Sequence, residues 1–185
     1  MTTHIETLKN ALPAYAKDLK LNLSSVAADT TLTPQQTIGG LLAAAIASRS
    51  ETVIAAISAD AAGVLSREAF EAAKTAAAIM AMNNIYYRSI HLIDDAELSK
   101  MPARLRMNVI GNPGVDKLDF ELWSLAASAV NGCGMCLKSH AHEVMAKGAT
   151  REGMQDVLRI ASVVHAAAAI VEGEAALQES ALAAA

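Results

Sequence analysis

The feature that most limits what this chain can fold into is a series of alanine-rich segments, each preceded by a hydroxyl side chain suited to a helix N-cap: Thr33, Ser50, Ser66 and Thr150. In "TPQQ" (33–36), Thr33 offers the cap, Pro34 fits the first helical position, and Gln36 supplies the return bond of a capping box. The pattern predicts a helix from there to Ser48, a second from Ser50 through Leu65, and a longer one after Ser66 over "REAFEAAKTAAAIMAMNNIYYRS". A further helix is expected over 117–130, broken by Asn131-Gly132. Another is expected from Cys133 to Lys147 with Gly148 just past its end, and a last one from Thr150 to Glu172. Residues 3–22 suggest two short helical pieces, with Pro13 in the first turn of the second. Residues 21–33 read as a connector, 93–107 as one or two short helical turns, and "GNPG" (111–114) as a turn.

No long segment alternates β-branched and aromatic residues as a strand would. Hydrophobic residues make up 53% of the chain, enough for a core, yet aromatics are only 3%, so the core is built from small side chains. The fold class expected is all-α, one helical-bundle domain over residues 1–185 with close helix–helix contacts. Small-volume helices leave apolar faces to be covered by association, so an oligomer is expected.

Fifteen basic and 19 acidic residues give a net charge of −4, and no basic run occurs, which argues against nucleic acid as a partner. Apolar runs such as "GLLAAAIAS" meet charge before the ~18 residues of a spanning helix. "MTTHIETLKN" has neither the basic start nor the apolar stretch of a signal peptide. The expected location is the cytoplasm, where a lasting structural disulfide is disfavoured.

A faint internal repeat aligns 65–82 with 149–166, each opening on a capping hydroxyl followed by Arg-Glu. It suggests a duplicated unit over about 40–82 and 124–166, with Arg49 opposite Cys133, Thr52 opposite Cys136 and Ala56 opposite His140.

The chemistry concentrates in "AVNGCGMCLKSHAHEV" (129–144), which holds both cysteines. On one helix, Cys133, Cys136 and His140 fall within about 60° of each other. Sulfurs so placed can close a disulfide, and His140 is an i+4 neighbour of Cys136. The break at Asn131-Gly132 puts the first cysteine in the first turn of a new helix, where free N–H groups favour a thiolate. The pattern reads as an exchangeable dithiol with a base beside it. Zinc would need four ligands, and His140 and His142 point about 200° apart on a helix, so no metal is expected. Leu137 follows the second cysteine where c-type haem attachment needs histidine. Two inert buried thiols remain a competing reading.

Glu121, flanked by Phe120, Leu122 and Trp123, reads either as a solvated edge or as a buried acid. His142 is expected in solvent, and His165 packed on the apolar stripe of the last helix. Asn83, Asn84 and Tyr86 fall on the later turns of a helix, where they suit packing, a subunit interface or an active cleft.

From its first helix through about residue 172 the chain resembles the AhpD family of alkyl hydroperoxide reductases. The resemblance is carried by "LKNALPAYAKDLKLNLSSV", "AAAIMAMNNIYYRS", "LRMNVIGNPGVDKLDFELWSLAASAVNGC" and the C-x-x-C-L-x-x-H stretch. It implies an all-α homotrimer acting as an antioxidant peroxidase and as reductant of an AhpC-type peroxiredoxin. Electrons would come from dihydrolipoyl groups on a lipoylated 2-oxoacid dehydrogenase component, with no tightly bound cofactor. The family's peroxide-attacking cysteine matches Cys136, its resolving cysteine Cys133, and its relay residues Glu121 and His140. Some members carry histidine just before the second cysteine, where this chain has Met135. The wider superfamily includes decarboxylases, so an acid–base enzyme without thiol chemistry and a non-catalytic assembly protein are the competing functions.

Overall fold

In a computed structural model, backbone structure is described for residues 3–183 and side chains for residues 3–178. The described residues form helices, turns and loops, with no strand. The helices are α1 (Thr3–Ala11), α2 (Lys17–Ala28), α3 (Pro34–Ser48), α4 (Glu51–Ala61), α5 (Arg67–Ile93), α6 (Ala96–Lys100), α7 (Lys117–Asn131), α8 (Gly134–Ala146) and α9 (Arg151–Ala183).

The hydroxyl caps act as their sequence positions predict. Thr33 and Gln36 close the capping box, with Gln36 N–H donating to Thr33 Oγ1 at 3.2 Å and Thr33 N–H to Gln36 Oε1 at 3.1 Å. Ser50, Ser66 and Thr150 accept from the N–H groups of Val53, Ala69 and Gly153. Each bond satisfies a donor that the helix itself leaves free, a contribution of ~1 kcal/mol per cap.

α3 and α7 lie at the centre and pack on each other, with α5 and α9 against both. A helix enclosed on every side needs small residues to let its neighbours close in. α3 supplies Gly39, Gly40 and Ala43 to Ala45, all buried. Gly39 sits directly against the indole of Trp123 on α7, and the indole N–H donates to Gln36 O at 3.2 Å. Asp119, buried near the start of α7, accepts from the side-chain amides of Gln35 and Gln36 at 2.7 Å each. α1 packs on α4, where buried Asp60 accepts the N–H of Ile5 at 2.7 Å and that of His4 at 3.1 Å. Asp60 thereby supplies α1 with an N-terminal carboxylate from a distant element.

Several boundaries depart from expectation. α2 continues through 21–28, expected as connector, because Leu23 and Val26 fall on its buried face. α4 ends at Ala61 rather than Leu65, in a turn containing Gly63. α9 extends beyond Glu172 to Ala183 through a stretch of strong helix formers, broken only by Gly173. His165 is exposed rather than packed, since Ala161, Val164 and Ala168 take the buried face of α9. α9 also has the length and hydropathy of a spanning helix over Arg151–Gln178, which a search for unbroken apolar runs misses. Its buried stripe, Val157, Ile160, Val164 and Ala168, belongs to the common core.

Candidate active site

α7 ends at Gly132, whose φ of 66° is the left-handed conformation that glycine adopts at little cost. The chain turns there, and Cys133 becomes the N-cap of α8 rather than a residue inside it. Its sulfur does the work of a capping oxygen, accepting the N–H of Cys136 at 3.3 Å. The thiol pair is therefore made by a cap and the third residue of the helix, with sulfurs 2.7 Å apart. Disulfide closure needs no rearrangement of the fold.

The two sulfurs differ in access. Cys133 is 0% exposed, while Cys136, at 6%, borders a cavity of about 430 Å³. The apolar wall of the cavity comes from Met80, Tyr87, Met107, Ile110 and Met135; Lys117, Glu143 and Lys147 add charge. Asn83, Glu121, Ser139 and His140 also border it.

His140, one turn beyond Cys136 on α8, meets Glu121 on α7, with Nδ1 2.7 Å from Oε2. Both are buried, so Glu121 is the interior acid and not the solvated edge. The other ring nitrogen, Nε2, lies 3.1 Å from the Met80 sulfur on α5. A thioether has no proton to give, so Met80 can partner Nε2 only as an acceptor, in the tautomer that carries its N–H there. Both ring nitrogens are thus engaged by Glu121 and Met80, and the imidazole reaches neither sulfur directly.

Burial, reinforced by the hydrogen bond shared with Cys133, pushes the Cys136 thiol up to about 12. Cys136 therefore rests as a thiol at neutral pH, which corrects the expectation of a standing thiolate. The N–H of residue 136, which Cys133 accepts, still favours ionisation of Cys136, but burial and the neighbouring thiol outweigh it. The structure brings Cys133 to Cys136 and Glu121 to His140, with Cys136, Glu121 and His140 at one cavity, and adds Met80, which no motif marked; Asn84, expected in packing, at an interface or in a cleft, lies in the core. Asn84, buried on α5, donates to Ser128 Oγ at 2.9 Å and accepts from Asn131 Nδ2 at 2.9 Å. His142 is exposed, on the opposite side of α8. Among the described residues no three His, Cys, Asp or Glu side chains converge as a metal site.

Residues 96–179 match the carboxymuconolactone decarboxylase family. The chain is 59% identical over 173 residues to "Alkyl hydroperoxide reductase AhpD" of Rhodospirillum centenum (strain ATCC 51521 / SW), covering 94% of this chain and 93% of that one. It is 60% identical over 173 residues to the protein of the same name from Gluconacetobacter diazotrophicus (strain ATCC 49037 / DSM 5601 / CCUG 37298 / CIP 103539 / LMG 7603 / PAl5), covering 94% and 95%. With the namesake from Streptomyces coelicolor (strain ATCC BAA-471 / A3(2) / M145), identity is 54% over 173 residues, covering 94% and 97%.

Proposed function

Because the chain belongs to the AhpD family of alkyl hydroperoxide reductases, we propose that it reduces alkyl hydroperoxides and the disulfide of an AhpC-type peroxiredoxin through the Cys133–Cys136 dithiol. The observation that carries this reading is the arrangement of the two sulfurs: paired at 2.7 Å, one at the cavity wall and the other fully buried behind it. That order suits Cys136 as the attacking sulfur and Cys133 as the resolving one.

The reaction begins when the proton of Cys136 passes to the Glu121–His140 pair, through a water where the imidazole does not reach the sulfur. The Cys136 thiolate attacks the terminal oxygen of the hydroperoxide and the O–O bond breaks. The alcohol leaves with the proton of Cys133, and Cys136 becomes a sulfenic acid. The Cys133 thiolate then displaces hydroxide from that sulfur, which leaves as water with the proton returned by the relay pair, and the disulfide forms. A dihydrolipoyl group, carried by a lipoylated 2-oxoacid dehydrogenase component, reopens it through a mixed disulfide. The incoming thiolate meets Cys136, the accessible sulfur, and Cys133 leaves into the N–H of residue 136 that already caps it. With AhpC disulfide as oxidant, the same pair runs the exchange in the forward direction and the peroxide steps are bypassed.

Association into a homotrimer forms part of the same reading. It is supported by the exposed side chains of Ile85, Leu92 and Ile93 on α5 and of Met101 just after α6. A dithiol that must cycle between its two forms suits the reducing cytoplasm. Duplication is supported by two successions of long, short and long helices, α3–α4–α5 and α7–α8–α9. The caps align Ser50, rather than Arg49, with Cys133: each accepts the N–H three residues on.

The test is turnover of an alkyl hydroperoxide driven by dihydrolipoamide, with and without an AhpC-type peroxiredoxin. Turnover in the native chain that disappears in Cys136→Ser is expected. Activity that survives Cys136→Ser sinks the thiol reading in favour of acid–base chemistry or a non-catalytic role.

A further inference from the structure

We propose, resting on that thiol reading, that Asn83 is a further catalytic residue: its side-chain amide holds the peroxide group beside Cys136, accepting from the terminal O–H and donating to the oxygen that leaves. Spacing sets the face that α5 turns to the cavity, with Met80, Asn83 and Tyr87 three and four residues apart on it. Asn83 is only 5% exposed, yet its Oδ1 is buried without a hydrogen-bond partner. Buried polar atoms are almost always bonded, and one that is not requires a reason. Among the described residues Glu6 Oε2 and Ser124 Oγ share this condition, but neither residue borders the cavity. The next residue, Asn84, shows the contrast. Its Oδ1 accepts from Asn131 and its amide donates to Ser128, both at 2.9 Å. The amide of Asn84 is used to join α5 to α7, and the oxygen of Asn83 is left for something else.

The other polar groups at the cavity are either engaged or wet. Glu121 and His140 hold each other, and Glu143 holds Lys147. Lys117 and Ser139 are exposed, and Tyr87 is half-buried. Asn83 also meets the reacting atom through its backbone, whose carbonyl lies 3.9 Å from the Cys136 sulfur and accepts from its S–H. The side chain thus borders the cavity within its own length of that contact. A primary amide is a donor and an acceptor side by side, and so is a hydroperoxide, whose outer oxygen carries a proton and whose inner oxygen carries lone pairs. The last torsion of asparagine is broad, so a turn about it presents both ends of the amide to the cavity. The outer O–H then donates to Oδ1 and the amide N–H donates to the inner oxygen. As the Cys136 thiolate bonds to the outer oxygen, the O–O bond breaks and its electron pair stays on the inner oxygen. The amide N–H faces the charge that develops there until Cys133 supplies the proton and the alcohol leaves, with Cys136 as the sulfenic acid. A disulfide substrate has neither the O–H nor the alkoxide, so it gains nothing from this amide.

The experiment compares two oxidants of the reduced chain in a single turnover: tert-butyl hydroperoxide, followed by loss of free thiol, and 2,2′-dithiodipyridine, followed by release of its thione. Asn83→Leu keeps the size of the side chain and removes the amide. It is expected to lower the hydroperoxide rate about tenfold or more relative to the disulfide rate, the worth of a hydrogen bond to a charged group. Its melting temperature is expected to equal or exceed that of the native chain, because Oδ1 has no bond to lose. Asn83→Ala, which adds no bulk, gives the same comparison if leucine does not fold. An unchanged ratio, with both rates kept or both reduced alike, overturns the proposal. A second measurement needs no reaction. In the nitrogen-labelled chain carrying Cys133→Ser and Cys136→Ser, where serine can still cap α8, tert-butyl hydroperoxide is expected to shift the side-chain NH2 signals of Asn83 saturably and to leave those of Asn84 in place. Asn83 signals that do not move overturn the proposal. A native chain that hydroperoxide fails to oxidise, with Asn83 signals that do move, would overturn the peroxidase reading and keep Asn83 as a binder of the peroxide group.

Discussion

Glu121 and His140 meet at 2.7 Å between Oε2 and Nδ1, joining the centre of α7 to the helix that carries Cys136. A carboxylate and an imidazole at that distance share a proton, and a buried pair of this kind can take up one from a thiol and return it. Glu121→Gln keeps the shape and removes the shared proton. Steady-state turnover of an alkyl hydroperoxide is expected to fall ~10²-fold or more, mostly in kcat, as for loss of a general acid–base group. Wild-type kcat in this variant would remove Glu121 from the relay.

Met80 determines which form of His140 the relay starts from. Its sulfur faces Nε2 at 3.1 Å and can only accept. In Met80→Leu, a swap of similar volume expected to cost less than ~1.5 kcal/mol of stability, that acceptor is gone. The proton on Nε2 then loses its partner, and a form protonated on Nδ1 beside the Glu121 carboxylate becomes accessible. Nitrogen NMR of the imidazole is expected to show one ring form in the native protein and a mixture in the variant. Identical spectra would mean that the thioether has no hold on the ring.

Cys136 makes the fold sensitive to alkali. Its thiol is raised from 9.0 to about 12, burial being the first cause and the Cys133 hydrogen bond the second. A raised pKa means that the unfolded chain releases this proton first. The stability that the neutral thiol contributes is full below pH 9 and is lost as pH rises toward 12. Denaturation midpoints between these limits are expected to fall more steeply in the native protein than in Cys136→Ser. In Cys133→Ser the thiolate absorbance of Cys136 is expected to appear at lower pH than 12, yet above 9.0, because burial remains. Parallel denaturation curves in the native protein and Cys136→Ser would show that the thiol is not held neutral.

How much of this could be read from the chain depended on how local each signal was. Thr33, Ser50, Ser66 and Thr150 were legible as caps because a cap involves only a few consecutive residues. The pairing of Cys133 with Cys136 was legible for the same reason, although the helical-wheel reading placed Cys133 inside a helix that it actually caps. The burial of Glu121 was not legible, since its partner His140 lies on another helix and is met in turn by Met80 from a third. A signal was present: from Asp119 to Ser128 no residue is exposed, and the mixture of apolar, small and few polar residues there marks a helix enclosed on all sides. Asn84 likewise interrupts an alanine-rich helix, and its partners lie 44 and 47 residues away on α7. The ionisation of Cys136 was misread because the sequence shows a helix start without showing how deeply the sulfur is buried, and burial outweighs the amide.

Gly39 tests whether the active site depends on the packing of the two central helices. A Cβ built there would fall within the indole of Trp123, which is itself fully buried and tied to Gln36 O. The ring has no free volume to move into, so Gly39→Ala must push α3 and α7 apart. Overpacking of this kind costs ~1–3 kcal/mol or more, an effect that the better helix propensity of alanine, ~1 kcal/mol, does not offset. Trp123 lies two residues beyond Glu121 on α7, so a shift of that helix also alters the distance from Glu121 to His140. Gly39→Ala is therefore expected to lower both the melting temperature and the peroxide turnover of the folded fraction. Gly40→Ala, one position along the same helix, provides the control. A Cβ there meets only Ile160 at 3.9 Å, an ordinary contact, so stability is expected to hold or rise by up to ~1 kcal/mol, with turnover close to that of the native chain. Equal behaviour of the two variants would show that the α3–α7 contact is softer than the geometry implies, and that the placement of Glu121 does not rest on it.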